Sequence, residues 1–404
     1  MAGRRDLSLI YSAAAIRAFG IGLLGVVLGV FLSRAGLDAI RIGLVIASGL
    51  TGAAVGTAFI AVAGNRYHPR RILCILALLS SVGGLGLALL PIFPTLAALA
   101  FVGMVNGMGT DRSAAFALEQ ALIPGYTSQH KRTLVLSWYN VTLDASGALG
   151  ALAGGIPLSL AKLPSIDLTL AYRYLFVVYA ALQLLTLIIY ALLSKEKHVA
   201  AVPVAEQPRI SNETRSVVRR LAALFALDSF GGGFLGDALI TYWFFLRYGL
   251  DERQLGVLFF VVHLLNAGSH LGAAWLAKRI GLVNTMVFTH LPSSLLLLIV
   301  PAAPTATLAV VLFLLRESLV EMDVPTRQSY VAALVKPHER TYASGMTNLA
   351  RTLAWASASG VGGVLMKAMS LSAPLLVGGG LKIIYDLTLY ASFRHLRTPE
   401  ELHT

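Results

Sequence analysis

Apolar residues run in blocks about 20 long from one end of the chain to the other, separated by short stretches rich in Arg, Lys, Gly, Pro and Asp. A block of about 20 residues, rising 1.5 Å per residue as a helix, covers a hydrocarbon layer of ~30 Å. Twelve such blocks fit, beginning near Leu9, Ile42, Arg71, Leu96, Leu134, Tyr172, Leu221, Gln254, Val283, Thr305, Thr341 and Ser372. The pattern predicts an all-α membrane protein with twelve transmembrane helices in two six-helix, pseudo-symmetric halves. Between the halves, 194–220 has no apolar period and carries Glu206, Pro203, Pro208 and several basic residues, so it reads as a cytoplasmic linker. The expected organisation is a six-helix bundle over 1–193, the linker, and a second bundle over 221–404. The first block is too long and glycine-rich for a cleaved signal peptide and is expected to stay in the mature chain.

The halves repeat each other visibly. Arg17-Ala-Phe-Gly-Ile-Gly matches Asp228-Ser-Phe-Gly-Gly-Gly at an offset of 211, and Gly36-Leu-Asp38 with Gly43 matches Gly249-Leu-Asp251 with Gly256 at 213. At 208, Glu119-Gln120, Arg132-Thr133 and Asn140 match Arg327-Gln328, Arg340-Thr341 and Asn348. Two parallel six-span halves are a transporter layout.

Composition fits. Of 404 residues 56% are hydrophobic and 13% charged, against roughly 25% charged in soluble domains. The net charge of +12 calls for no nucleic acid. With the N-terminus inside, 19 Lys and Arg fall in cytoplasmic segments and 7 on the other side, which the positive-inside rule accounts for with both termini cytoplasmic. The single cysteine, Cys74, excludes a disulfide framework. No phosphate-cradling loop is present, so energy comes from a gradient, and no cofactor or metal site is expected.

Over nearly its whole length the chain resembles the major facilitator superfamily. The loop after the second block, Asn65-Arg66-Tyr67-His68-Pro69-Arg70-Arg71, keeps the three basic positions of that family's signature and has Asn65 where the family has an acid. The second copy keeps Arg279 and Gly281. Gly150, Gly154 and Gly155 partly match the family's antiporter signature, although small residues so spaced also serve close helix packing. The drug-antiporter arginine motif is not met, since Phe116 stands where Arg112 requires a glycine.

Ionisable residues within the hydrocarbon layer are costly and mark candidate sites. Arg17, Asp144, Asp228, Arg316, Glu317 and Arg351 fall near mid-span, with Asp111, Arg112, Glu321 and Asp323 nearer the cytoplasm. The resemblance puts Arg17, Asp111, Arg112, Asp228, Arg316, Glu317 and Glu321 around a central cavity, with Asp144 and Arg351 beside it, and pairs Arg17 with Asp144 and Asp228 with Arg351. Either these groups bind substrate and carry protons, arginine through its fork of donors and carboxylate through its titration, or they neutralise one another as internal salt bridges. A second set, Asn65, Arg66, Glu119, Arg132, Arg327 and Arg340, is expected at a cytoplasmic gate. His263, His270 and the isolated His290 read as structural histidines.

The chain is therefore expected to be no enzyme but a secondary active transporter in the plasma membrane. It moves a small-molecule substrate against protons by alternating access, as a monomer in the lipid bilayer. Proton symport or uniport of a small organic anion is the alternative.

Overall fold

A computed structural model describes residues 2–63, 67–89, 92–111, 113–127, 132–194, 210–335 and 339–393. Its helices are α1 (Ala2–Arg34), α2 (Ala39–Ala63), α3 (Pro69–Leu89), α4 (Phe93–Gly103), α5 (Ala114–Leu122), α6 (Arg132–Ala153), α7 (Ile156–Leu160) and α8 (Leu168–Ala191) in the first part of the chain. There follow α9 (Asn212–Gly233), α10 (Asp237–Tyr248), α11 (Glu252–Ile280), α12 (Leu282–Ile299), α13 (Ala306–Val320), α14 (Asp323–Leu334), α15 (Arg340–Ala368) and α16 (Ala373–Phe393). They make the twelve expected spans, four of them in two pieces: α4–α5, α6–α7, α9–α10 and α13–α14. Among the described residues, seven of the spans are long and apolar enough to cross a membrane by length and composition.

The linker expectation changes in detail. Residues 195–209 lie outside the described residues, but α9 begins well before 221. Ser211 caps it by accepting from Thr214 N at 3.2 Å, and Glu339 accepts from Ser211 N at 2.7 Å and from Thr214 Oγ1 at 2.6 Å. A satisfied first turn lets the helix start among polar residues.

The fourth span breaks at Met104–Ser113. Met104 (φ 56°), Gly107 (φ 62°) and Gly109 (φ 76°) are left-handed there, and Asn106 ties the loop by donating to Met104 O and accepting from Met108 N, both at 3.0 Å. Irregular backbone at membrane depth survives only where protein supplies the missing hydrogen bonds. Here Ala238 N, in the first turn of α10, donates to Gly107 O at 2.9 Å.

The chain forms two compact units. The first comprises Met1–Ala201, Gly236–His263 and Ser359–Lys367, and the second Val202–Leu235, Leu264–Ala358 and Ala368–Thr404. In the first unit α1 packs on α6, α8 and α10, and α3 on α4 and α8; in the second α12 packs on α13, α14 and α16, and α9 on α16. Polarity is inverted relative to a soluble protein. α8 exposes Val178, Leu184 and Ile188 while burying Gln183, Thr186 and Tyr190, as expected of a helix with lipid on one side and polar partners on the other.

The spacing of Gly150 and Gly154 is accounted for by packing. A Cβ on Gly150 would stand 1.9 Å from Phe19 O and one on Gly154 2.7 Å from the Val26 side chain, so α6 lies on α1 with no room for either.

Candidate functional site

Each unit holds a buried network of charge. In the first, Arg17 of α1 is 4% exposed and spends its guanidinium on acids of the fourth span. Its Nε donates to Asp111 Oδ2 at 2.7 Å and its Nη1 to Glu119 Oε1 at 3.1 Å, while Nη2 donates to Glu119 Oε2 and Nη1 to the Tyr190 hydroxyl. The hydroxyls of Tyr139 (α6) and Tyr190 (α8) each donate to Glu119 at 2.6 Å. Asp111 also accepts from Ser113 N at 2.9 Å. Glu119 is thus a fully buried carboxylate met on both oxygens by permanent donors, the condition under which a buried ion is tolerable.

A small cavity adjoins this network, lined by Arg17, Ser80, Asn106, Ser113, Tyr179 and Gln183 among others. Gln183 is 1% exposed, and neither its Oε1 nor its Nε2 has a hydrogen-bond partner among the described residues.

In the second unit, Asp228 of α9 is the hub. Its Oδ1 accepts from Lys382 Nζ (α16) at 2.7 Å and its Oδ2 from Arg327 Nη1 (α14) at 3.3 Å. Arg327 also donates to Asp323 Oδ2 at 2.6 Å and lies 5.4 Å over the Phe225 ring. Lys382 Nζ is 3.3 Å from His290 Nε2 (α12), which itself stands 3.6 Å from Asp228 Oδ1. The other ring nitrogen, Nδ1, is 2.9 and 3.0 Å from the two oxygens of Asp386 (α16). The distances fit one neutral tautomer, with Nδ1–H donating to Asp386 and Nε2 accepting from the lysine.

Several expectations change. Arg17 is held by Asp111 and Glu119 rather than by Asp144, and Asp228 by Lys382 and Arg327 rather than by Arg351. Arg351 instead donates from Nε to Ser229 Oγ at 3.1 Å and stacks 4.5 Å from the Trp355 ring. Glu119 and Arg327, expected to face each other at a gate, are each sealed inside one unit. Arg316 and Glu317 are buried neighbours on α13 and bond to each other. Asp144 on α6 and Glu321 at the end of α13 are half-buried. Arg132 and Arg340 open α6 and α15, while Asn65, Arg66 and Arg112 lie outside the described residues. His290 is not an isolated structural histidine, because it sits 1% exposed within the Asp228 network.

Lys382 and Asp386 escaped the sequence reading although both are charged and four apart inside the last apolar block, a signal that was there to use. Tyr139, Tyr190 and Gln183 gave no such signal.

Further polar pairs lie in the first unit. Glu252 is fully buried and accepts from Arg34 Nε at 3.0 Å, Arg34 Nη2 at 3.4 Å and the Tyr172 hydroxyl. His263 Nε2 is 3.3 Å from Asp237 Oδ2, and Lys367 Nζ donates to Asp38 Oδ2 at 2.6 Å. Asp38 lies in the turn between α1 and α2. The lysine hydrogen bond, reinforced by Arg41 N, holds its carboxyl below the ordinary carboxylate value.

Comparison with known proteins agrees with this architecture. A family model described as the Major Facilitator Superfamily matches residues 10–359. An uncharacterized membrane protein of Saccharomyces cerevisiae, YJR124C, is 25% identical over 425 residues, covering 96% of this chain and 94% of that protein. The solved nucleoside transporter NupG superposes with a TM-score of 0.73 at 12% identity, covering 96% of this chain and 99% of that one. The xylose transporter XylE from E. coli gives 0.74 at 15%, covering 96% and 98%. A bacterial homolog of the human lysosomal transporter Spinster gives 0.74 at 14%, covering 100% and 98%. At these identities the structural likeness shows the fold.

Proposed function

Since the chain belongs to the Major Facilitator Superfamily, and is a multi-pass membrane transporter of small solutes rather than an enzyme, we propose that it couples a small organic solute to proton movement. The observation that carries this reading is the balance of buried charge. In the first unit Arg17 faces two acids, Asp111 and Glu119; in the second, Arg327 and Lys382 face three, Asp228, Asp323 and Asp386. Among the described residues each bonded set carries one more carboxylate than permanent cation, and a charge in low dielectric is expensive unless matched. A proton that comes and goes is the economical match.

The same geometry weighs against a substrate anion held by Arg17, whose donors are already committed to Asp111 and Glu119. We therefore favour an uncharged or weakly polar solute. Two senses of coupling remain in play. Antiport, and with it efflux, rests on the resemblance of Gly150, Gly154 and Gly155 to an antiporter signature, which packing explains equally well. Symport is favoured by likeness to a protein described as a D-xylose-proton symporter, at a TM-score of 0.70 and 16% identity. From the excess of Lys and Arg in the alternate connecting segments, we propose that both termini are cytoplasmic.

The test is the purified chain in vesicles loaded with a fluorescent pH indicator and challenged with xylose, uridine and a monocarboxylate. Solute-dependent alkalinisation or acidification of the lumen supports the reading, and its sign separates symport from antiport. Solute flux without any proton movement overturns it.

A further inference from the structure

We infer that the exchangeable proton of the second unit is held by the His290–Asp386 couple, between α12 and α16, and that it competes with Lys382 for Asp228. This deepens the proton-coupled reading and rests on it for its functional consequence, though not for the existence of the site.

Several helices bring polar groups to His290 and its partners. From α16 come Asp386, Lys382 and Tyr385, whose ring stands edge-on with centroids 5.9 Å apart. From α9 comes Asp228, which brings with it Arg327 and Asp323 of α14. α13 offers Arg316 and Glu317, which pair with each other. Half-buried Arg351 and Glu321 add one charge of each sign. Among the described residues this network therefore carries one uncompensated negative charge while His290 is neutral and none when it is protonated. Among these groups the imidazole is the one whose ordinary titration falls near physiological pH.

Position decides which acid shares that proton. Asp228 already has two permanent cations within hydrogen-bond range, and Asp323 has Arg327. Asp386 is fully buried, and among the described residues its hydrogen-bond partner is His290. It is the carboxylate with the least fixed compensation, and its counter-charge is the one that can leave.

The geometry also states what protonation does. In the neutral ring Nε2 accepts from Lys382. Once protonated it becomes a second donor, and an N–H facing an ammonium at 3.3 Å is repulsive. The nearest acceptor for the new proton is Asp228 Oδ1, at 3.6 Å, which is the oxygen that Lys382 now holds. Proton arrival thus turns the imidazole from acceptor to donor and sets it against Lys382 for one oxygen. Asp228 lies on α9, less than two turns before the interruption at Phe234–Gly236, so the exchange acts beside a break in the seventh span.

The test uses the full chain in vesicles and nanodiscs. In vesicles, with whichever of xylose, uridine or monocarboxylate moves protons, a one-unit pH gradient coupled to one proton sustains about tenfold solute accumulation. His290→Gln and His290→Asn are expected to abolish that accumulation. Asp386→Asn is expected to change the pH dependence of that accumulation. Proton coupling with an unaltered pH profile in all three variants overturns the site while leaving the proton-coupled reading standing. Absence of coupling in the wild type removes that reading, and the site is then judged by a second readout. In ¹⁵N-histidine NMR, an imidazole that changes protonation between pH 5 and 8 and vanishes in His290→Asn supports the site. A His290 resonance fixed in one neutral tautomer across that range overturns it.

Discussion

Arg17 and Asp228 occupy matching places in the repeated helices, and so do Glu119 and Arg327, yet the first unit pairs base with acid where the second pairs acid with base. The attraction between two charges depends on their product and not on which helix carries which sign, so duplication can keep the pair while exchanging its poles. What differs is how the remaining acid is treated. In the first unit the donors around Glu119 are an arginine and two tyrosines, none of which releases a proton near neutral pH. In the second, Asp386 faces an imidazole. The second network thus places an imidazole beside its acid where the first places an arginine and two tyrosines.

The largest effect expected from this contrast is on Arg17→Ala, which strands Glu119 and Asp111 in the first unit without their cation. A cost of about 3–5 kcal/mol is typical when one partner of a buried pair is removed. It should show as loss of folded protein on size-exclusion chromatography. Asp228→Asn should cost less, about 1–3 kcal/mol, because Arg327 keeps Asp323 and Lys382 keeps a neighbouring amide oxygen. Its folded yield should exceed that of Arg17→Ala while solute transport is lost. Equal damage from the two substitutions would break the contrast.

Gln183→Leu sharpens the comparison from the other side. Removing a buried amide that lacks partners should leave apparent melting temperature unchanged or raise it, by the equivalent of about 1 kcal/mol. A clear fall in melting temperature would mean that the cavity beside Arg17 holds ordered water or solute bonded to that amide. The smallest effect belongs to Lys367→Met, which removes an exposed ion pair expected to contribute about 0.2–1 kcal/mol. Because Lys367 lowers the carboxyl of Asp38 in the folded chain, its contribution is present above the ordinary carboxylate value and is lost as pH falls through the lowered one. Wild type and variant should therefore differ in melting temperature at neutral pH and converge in strong acid.

The spans, the repeat and the intramembrane charges were legible in the chain because each is a local property. Apolar runs announce helices, and an acid or base inside such a run is conspicuous wherever it points. Arg17, Asp111, Asp228, Arg316 and Glu317 were found that way, and all are buried. Lys382 and Asp386, four apart inside the last apolar block, obey the same rule. The breaks of the spans were harder to see: Gly107 and Gly109 are conspicuous, but the left-handed Met104 is not.

Partnership was another matter. Arg17 and Glu119 are 102 residues apart, His290 and Asp386 96, Asp228 and Lys382 154. Which of them meet depends on how each helix is rotated about its axis and how deeply it sits against its neighbour. Contacts such as Gly22 against the carbonyl of Gly147, where a Cβ would stand 2.0 Å away, set that for α1 and α6. The sequence alone determined that this chain crosses a membrane in two related halves with charges inside. Tertiary structure decided that Arg17 closes on Asp111 and Glu119, and Asp228 on Lys382 and Arg327, because a 3 Å hydrogen bond is fixed by packing and leaves no period in the chain.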